Sequence, residues 1–353
     1  MNRLLLAIAL CFCTVTVISC NSAQSPTCAC DAAAYPRQLT SSGRDHIPYW
    51  APGGGHIAFL SQRNTYDPYV AAIRFELWIM EKDGSNQRPI VTDDDLFGGS
   101  GASGRGVSWA PDSQEMLVQI SAPQGSEIWR VSLDASKMRL SSPDDWAGQP
   151  QYSPDGLKAA LLIRGPDSLQ GSGACGLYVA NSDLSNPVLV EQGFYEGFAW
   201  SPDSQGLIYS LYDRASENFD LWACSATGTG KRRVSATPHQ DEEDPSYSTD
   251  ARHTVFSGQN GVYVTSSHTF DPREVLHNAR LPRWVPNRDL LLVVCEQTLD
   301  YESYWTESWV VDLGGTILEK IAEGKPTWVD FSPDGRHLVY SLDGNLWLDC
   351  MSY

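Results

Sequence analysis

Basic residues are scarce: 25 Lys and Arg stand against 43 Asp and Glu, a formal charge of −18. A chain this acidic lacks the positive track that a phosphate backbone requires, which excludes nucleic acid as partner. Passive adhesion to anionic headgroups is excluded on the same ground. Histidine is thin too; the seven are scattered without a His-Glu-x-x-His. There is no Gly-x-Ser-x-Gly elbow, and Gly98 to Gly106 lacks the lysine of a phosphate-binding loop. Cys28 and Cys30 form a lone Cys-x-Cys with no second pair at zinc-finger spacing, so no metal is expected there.

What is present begins with a leader. Arg3 gives a short basic head, and Leu4 to Ile18 is an apolar run too short to span a bilayer comfortably. It ends in Val17-Ile18-Ser19-Cys20, which resembles the bacterial lipoprotein cleavage box, with Cys20 as the residue to be lipidated. Ordinary secretion with cleavage near Ala23 is the plainer alternative. Residues 1–19 hold one base and no acid, so their removal moves the charge from −18 to −19. Asn21 to Ala34 is small, polar and unpatterned, a flexible tether. Asn21 after Cys20 resembles the default route to the outer membrane, facing the periplasm. Of the cysteines left in the mature chain, Cys175, Cys224, Cys295 and Cys350 lie in or beside strand-like runs, where a buried free thiol is the plain expectation.

From residue 35 onward one unit repeats. Its last copy reads Ser332-Pro333-Asp334-Gly335 between two β-branched and aromatic runs. Pro333 presets φ for a tight turn, and Gly335 accepts the positive φ that closes a bulged hairpin. Equivalent turns begin at Ala51, Ala110, Ser153, Ser201, Ser248 and Val285, at steps of 59, 43, 48, 47, 37 and 47 residues. An aromatic precedes each turn, and another marks each third strand: Trp78, Trp129, Tyr178, Trp222, Tyr263, Trp309 and Trp347. Seven four-stranded units at this period specify an all-β, seven-bladed β-propeller over residues 35–353. The last unit stops after its third strand, and residues 35–40 read as an orphan fourth strand. Their pairing would close the ring. Cys28 or Cys30 could then reach Cys350 in a disulfide at the seam.

The Ser-Pro-Asp-Gly turns and the Leu-Trp third strands, as in Leu77-Trp78 and Leu221-Trp222, resemble the repeat of TolB-type propellers over residues 36–349. Units 5 and 6, with Ser248-Thr249-Asp250 and Pro286-Asn287-Arg288, depart from that pattern. Relatives of the repeat serve as lids of prolyl oligopeptidase-like enzymes, and some resemble oligogalacturonate lyases, which use a channel His cluster and a metal. His46 and His239 could stand at the mouth, but two histidines amid carboxylates suit a polyanionic uronate poorly, and ordinary loop residues are the plainer reading. The TolB resemblance implies the propeller fold and not the partner; the lipid box and the long loops lead to the expectation of an envelope protein or peptide as partner.

Loop length indicates where binding belongs. First-to-second and third-to-fourth connections are tight, whereas insertions at 62–74, 93–105, 164–173, 211–219, 236–244 and 296–306 all fall on one face. That face carries aromatics outside the repeat positions, and the expected partner-binding residues are Tyr301, Tyr304, Trp305, Phe97, Trp146 and Tyr195, with Tyr66 and Tyr69 beside them. Channel-mouth residues, from the starts of first strands, are Asp45, His46, Arg105, Gln149, Glu196, Glu243, Arg280 and Lys325. Acids in the same loops, Asp93 to Asp95, Asp213, Glu217, Asp241 to Asp244, Glu296, Asp300 and Glu302, offer oxygen ligands for Ca²⁺. They lack EF-hand spacing, and a solvated rim is the simpler reading. The expectation is a lipid-anchored, non-catalytic propeller without a cofactor. A carbohydrate-active propeller, lyase or glycan binder, is the alternative.

Overall fold

In four of the seven repeats the turn is closed by its own serine and aspartate side chains. In the last copy Gly335 N donates to Ser332 O at 2.8 Å with Gly335 at φ +64. Ser332 Oγ donates to Asp334 Oδ1 at 2.6 Å and accepts from His337 N at 2.9 Å, while Arg336 N donates to Asp334 Oδ1 at 3.1 Å. Ser153–Asp155, Ser201–Asp203 and Ser248–Asp250 repeat the hydroxyl–carboxylate bond at 2.6, 2.6 and 2.7 Å. Loss of proline in unit 5 therefore leaves the turn intact. Unit 6 differs: Asn287, third in its turn, takes the positive φ (+60).

The computed structural model describes residues 35–64, 75–92, 106–122, 125–141, 146–164, 175–235, 240–299, 303–321 and 328–351. These form seven antiparallel four-stranded sheets. Blade 1 comprises β2 (Asp45–Trp50), β3 (His56–Ser61), β4 (Glu76–Glu81) and β5 (Arg88–Val91). Blade 2 comprises β6 (Val107–Trp109), β7 (Glu115–Ala122), β8 (Gly125–Ser132) and β9 (Lys137–Arg139). Blade 3 comprises β10 (Trp146–Tyr152), β11 (Lys158–Arg164), β12 (Cys175–Asn181) and β13 (Val188–Gly193). Blade 4 comprises β14 (Tyr195–Trp200), β15 (Gly206–Asp213), β16 (Asn218–Ser225) and β17 (Arg232–Arg233). Blade 5 comprises β18 (Glu242–Tyr247), β19 (His253–Gly258), β20 (Gly261–Ser266) and β21 (Arg273–His277). Blade 6 comprises β22 (Ala279–Trp284), β23 (Leu290–Leu299), β24 (Ser303–Asp312) and β25 (Ile317–Ile321). Blade 7 takes β26 (Val329–Phe331), β27 (His337–Leu342) and β28 (Asn345–Cys350), with β1 (Arg37–Gln38) as its fourth strand.

The closing pair copies a bond pattern used within single blades. Leu39 N and Thr40 N both donate to Leu346 O, and Leu346 N donates to Thr40 Oγ1 at 2.9 Å. Ser141 with Ile128 and Ser235 with Leu221 make the same three bonds in blades 2 and 4. Strand alternation puts apolar side chains on both faces of each blade, so the core is a series of layers between neighbours. At the seam, Trp50, Ile57, Phe59 and Met80 of blade 1 pack on Val339, Leu346 and Leu348 of blade 7.

Two expected loops are strands instead. Residues 296–299 and 303–306 continue β23 and β24 in register, from Leu290↔Asp312 to Leu299↔Ser303, so Tyr304 and Trp305 belong to a ribbon of ten-residue strands. The run Val293-Val294 to Thr298-Leu299 is β-branched and apolar enough to prolong pairing. In blade 4, β15 and β16 pair as far as Asp213↔Asn218, which reduces the expected insertion to a short turn.

Candidate functional site: the long-connection face

First strands of neighbouring blades touch one another, so they form the inner wall of the ring. Near the long-connection face these strands carry a β-bulge at a repeated place. Register shifts fall between His46/Pro48, Gly148/Gln151, Tyr195/Phe198, Glu243/Ser246 and Arg280/Arg283. Ile47, Gln149, Gly197, Asp244 and Leu281 hold the positive φ there, the β-branched Ile47 at +40. Proline follows four of them: Pro48, Pro150, Pro245 and Pro282. Proline fits because an inner edge facing the channel has no ladder partner for its missing N–H. The predicted residues His46, Glu196, Glu243 and Arg280 all stand one position before a bulge, and so share one level of the ring.

Below the bulges lies a second ring, one residue before each repeat aromatic: Tyr49, Ser108, Gln151, Ala199, Ser246, Arg283 and Asp330. Several reach the next blade. Ser108 Oγ accepts from Tyr152 N (3.0 Å), Gln151 Nε2 donates to Phe198 O (3.0 Å), and Arg283 Nη1 donates to Val329 O (3.3 Å). Asp330 Oδ2 accepts from Trp50 N (2.6 Å) across the seam. Burial outweighs the nearby Arg283 charge and raises the Asp330 carboxyl above its ordinary value. The repeat aromatics bond backwards: Trp109, Trp200 and Trp284 donate Nε1–H to Tyr49 O, Gln151 O and Ser246 O at 3.1 to 3.2 Å. The ring is thus stitched in both directions.

Carboxylates at the long-connection end are buried and engaged. Asp45, at the start of β2, is fully buried; Arg63 donates Nε to its Oδ1 (2.9 Å) and Nη2 to its Oδ2 (2.7 Å). Ser61 and Ser42 hydroxyls add bonds of 2.8 and 2.5 Å. Burial raises the Asp45 carboxyl, but these donors outweigh it and hold it below its ordinary value. Four third strands carry an acid two residues before tryptophan: Glu76-Leu77-Trp78, Glu127-Ile128-Trp129, Asp220-Leu221-Trp222 and Glu307-Ser308-Trp309. Trp78, Trp129 and Trp309 donate Nε1–H to their acids at 2.9 Å. A cation from the fourth strand completes the group: Arg139 on Glu127, Arg233 on Asp220, and Lys320 on Glu307, with Lys320 Nζ also 4.8 Å above the Trp309 ring. Glu242 is likewise buried and takes the Ser235 hydroxyl.

The sequence-predicted residues fare unequally. His46 is half-buried, edge-on to Phe75 (5.9 Å), and burial outweighs the Asp45 charge to lower its imidazolium pKa. Trp146 opens β10, where Arg164 lies 5.5 Å from its ring and 37 % of it stays exposed. Tyr195 opens β14, half-buried against Tyr209 (6.1 Å), with its hydroxyl donating to Glu191 O (2.8 Å). It is therefore packed down rather than presented. Asp213 meets Arg233 at 3.7 Å, and Asp241 Oδ1 accepts from Phe219 N at 3.0 Å. Among the described residues no three His, Cys, Asp or Glu groups converge as a metal site. Cys20, Cys28, Cys30, Phe97, Arg105, His239, Tyr301 and Lys325, with Asp93 to Asp95, lie outside the described residues, as do the Tyr304 and Trp305 side chains. Cys350 is disulfide-bonded, whereas Cys175, Cys224 and Cys295 are free. The bulge prolines and the acid-x-Trp motifs were not anticipated, although both repeat visibly in the sequence.

No family model matches the sequence, and no curated protein does. Solved structures do match. An oligogalacturonate lyase from Vibrio parahaemolyticus superposes with a TM-score of 0.67 at 9% identity, covering 89% of this chain and 92% of that one. TolB from Acinetobacter baumannii gives 0.53 at 15%, covering 79% and 66%. A putative TolB from Agrobacterium tumefaciens gives 0.50 at 18%, covering 76% and 95%. The fold is that of the TolB-type propellers. At these identities the likeness reaches the TolB-type architecture and stops there.

Proposed function

We propose that this chain is an exported, lipid-anchored TolB-type propeller that binds a protein or peptide on its long-connection face and performs no chemistry there. Lipidation at Cys20 would place it in the cell envelope, at the outer membrane facing the periplasm. The state of the described acids at that face supports the reading best. Asp45, Glu127, Asp220 and Glu307 are buried and each is met by a cation from its own blade. Groups so engaged stiffen the ends of strands and are poor candidates for moving protons. The β23–β24 ribbon prolongs blade 6 on the same side and brings Tyr304 and Trp305 there. A rigid scaffold with aromatics on projecting elements suits partner binding.

The test is capture of partners from the native envelope with the lipidated protein, followed by affinity measurement with the partner found. If Trp305 and Tyr304 anchor the partner, truncating either to Ala should cost about 2 kcal/mol, against less than about 1 for the rim change Asp94→Ala. Affinity that ignores both aromatics but falls when the Asp334 turn is altered would put the site on the other face. A parallel incubation with oligogalacturonate and a divalent metal covers the carbohydrate reading; appearance of unsaturated uronate ends would replace binding by lyase chemistry.

A further inference from the structure

On the opposite face, where the tight turns lie, the seam between blades 7 and 1 encloses a cavity of about 440 Å³. That volume falls in the range of small-molecule sites. Its walls are the turns at Pro52 to Gly54 and Ser332 to Asp334, the Lys82-Asp83 turn, and Tyr35 and Arg37 from the chain's N-terminal side. At two other junctions a hydroxyl from the fourth turn residue bridges adjacent turns: Ser113 Oγ accepts from Gly53 N at 2.7 Å and Ser204 Oγ from Asp155 N at 2.9 Å. At the seam the equivalent position in blade 1 is Gly54, which has no side chain to span the gap.

The donors lining this cavity are unspent. Trp50 is 8 % exposed and its Nε1–H has no partner, although Trp109, Trp200 and Trp284 at the same repeat position all have one. Arg37, Lys82 and the His337 imidazole make no side-chain hydrogen bond or ion pair with any described residue. The Tyr35 ring sits 5.8 Å from that of His337. The two carboxylates present are already occupied: Asp83 by Ser85 N and Oγ (2.9 and 2.6 Å), Asp334 by Ser332 and Arg336. A second cavity of about 390 Å³ offers the contrast. It lies beside Arg63 and Gln87, and there Arg63 is spent on Asp45 and Gln87, and Gln87 on Leu39 O and Gly84 O.

We propose that the seam cavity is a binding site for a small ligand bearing a carboxylate on a flat apolar body. The carboxylate is held between Arg37 and Lys82, and the body lies against Trp50, Tyr35 and His337. Two exposed cations that make no hydrogen bond or ion pair with a described residue stand beside aromatic rings, and so offer a carboxylate on a flat apolar body both a charge partner and a contact surface. The site is independent of the long-connection face, so either can fail without the other.

The experiment titrates the mature protein with 4-fluorobenzoate and, separately, with its neutral isostere 4-fluorobenzamide, read by ¹⁹F line broadening. The benzoate should bind and the amide should be weaker by about tenfold or more, the worth of a charge-assisted bond. Arg37→Met with Lys82→Met, both at exposed side chains, should abolish the preference without lowering the melting temperature. Trp50→Ala removes the aromatic wall against which the body lies, and should weaken the benzoate and the amide alike by several-fold. Equal binding of acid and amide, binding that survives the double Met variant, or no binding at millimolar benzoate each overturns the proposal.

Discussion

Removing Arg63 should cost more than removing the charge it neutralises. Asp45 has no exposed surface, whereas the Arg63 side chain is 20% exposed. In Asp45→Asn the guanidinium keeps Gln87 (2.7 Å) and its place 4.5 Å from the Trp78 ring, and it can reach water. We expect a loss of about 1 kcal/mol, that of one net hydrogen bond. Arg63→Met instead leaves a buried carboxylate with only its serine hydroxyls. Breaking a buried pair in this direction costs about 3–5 kcal/mol, and the lower end applies because those hydroxyls remain. The sign with pH follows from the carboxyl being held below its ordinary value. Its contribution is present above the unfolded pKa, about 3.9, and is lost as pH falls through the folded value. The gap between wild type and Arg63→Met should therefore narrow below about pH 4. Equilibrium urea unfolding followed by tryptophan fluorescence, at neutral and acid pH, measures it. An Arg63→Met cost no larger than that of Asp45→Asn, or a gap that widens in acid, would refute the reasoning.

Replacing Cys20 with Ser should release the protein into the soluble fraction; continued partition with membranes would end the anchor assignment. Non-reducing peptide mapping should join Cys350 to Cys28 or Cys30, and loss of the bond should cost about 2–4 kcal/mol; a free thiol at Cys350 rules it out. Native alkylation at neutral pH should spare Cys224 and Cys295, whose thiols burial pushes up to about 11 and about 12; rapid labelling of the folded protein contradicts that. Asp330→Asn should stabilise at neutral pH and have little effect in acid. A carboxyl raised by folding contributes stability below its unfolded pKa and loses it as pH rises through the folded one, so removing its charge helps only where it is ionised.

The blades could be read because their information is local. Pro333, Asp334 and Gly335 fix a turn by their own geometry, and the continuous apolar run Leu338 to Tyr340 fits a strand buried on both faces. The closure could be read by counting, since an orphan strand at 35–40 and a blade one strand short, ending at Cys350, have one economical solution. The bulges were harder. A proline inside a strand ordinarily argues against the strand, and only the ring makes Pro48, Pro150, Pro245 and Pro282 inner-edge residues. The ribbon carrying Tyr304 and Trp305 reads as a loop in the sequence because its polar Glu296, Gln297, Thr298 and Ser303 hide the alternation. The seam cavity is the least legible feature. It depends on a missing hydroxyl at Gly54 meeting side chains from residue 35 and residue 337, which no local pattern brings together.

The seam also sets an order of events. Thr40 and Leu346 are 306 positions apart, so the ring cannot shut until nearly the whole chain is in place. The strand that shuts it is two residues long, whereas blade 6 zips ten pairs between β23 and β24. Folding must end here and unfolding should start here, with exchange of the Leu39, Thr40 and Leu346 amides outpacing that of the ribbon's base. A ring that opens at one known place behaves as a clasp, and β1 is its tongue.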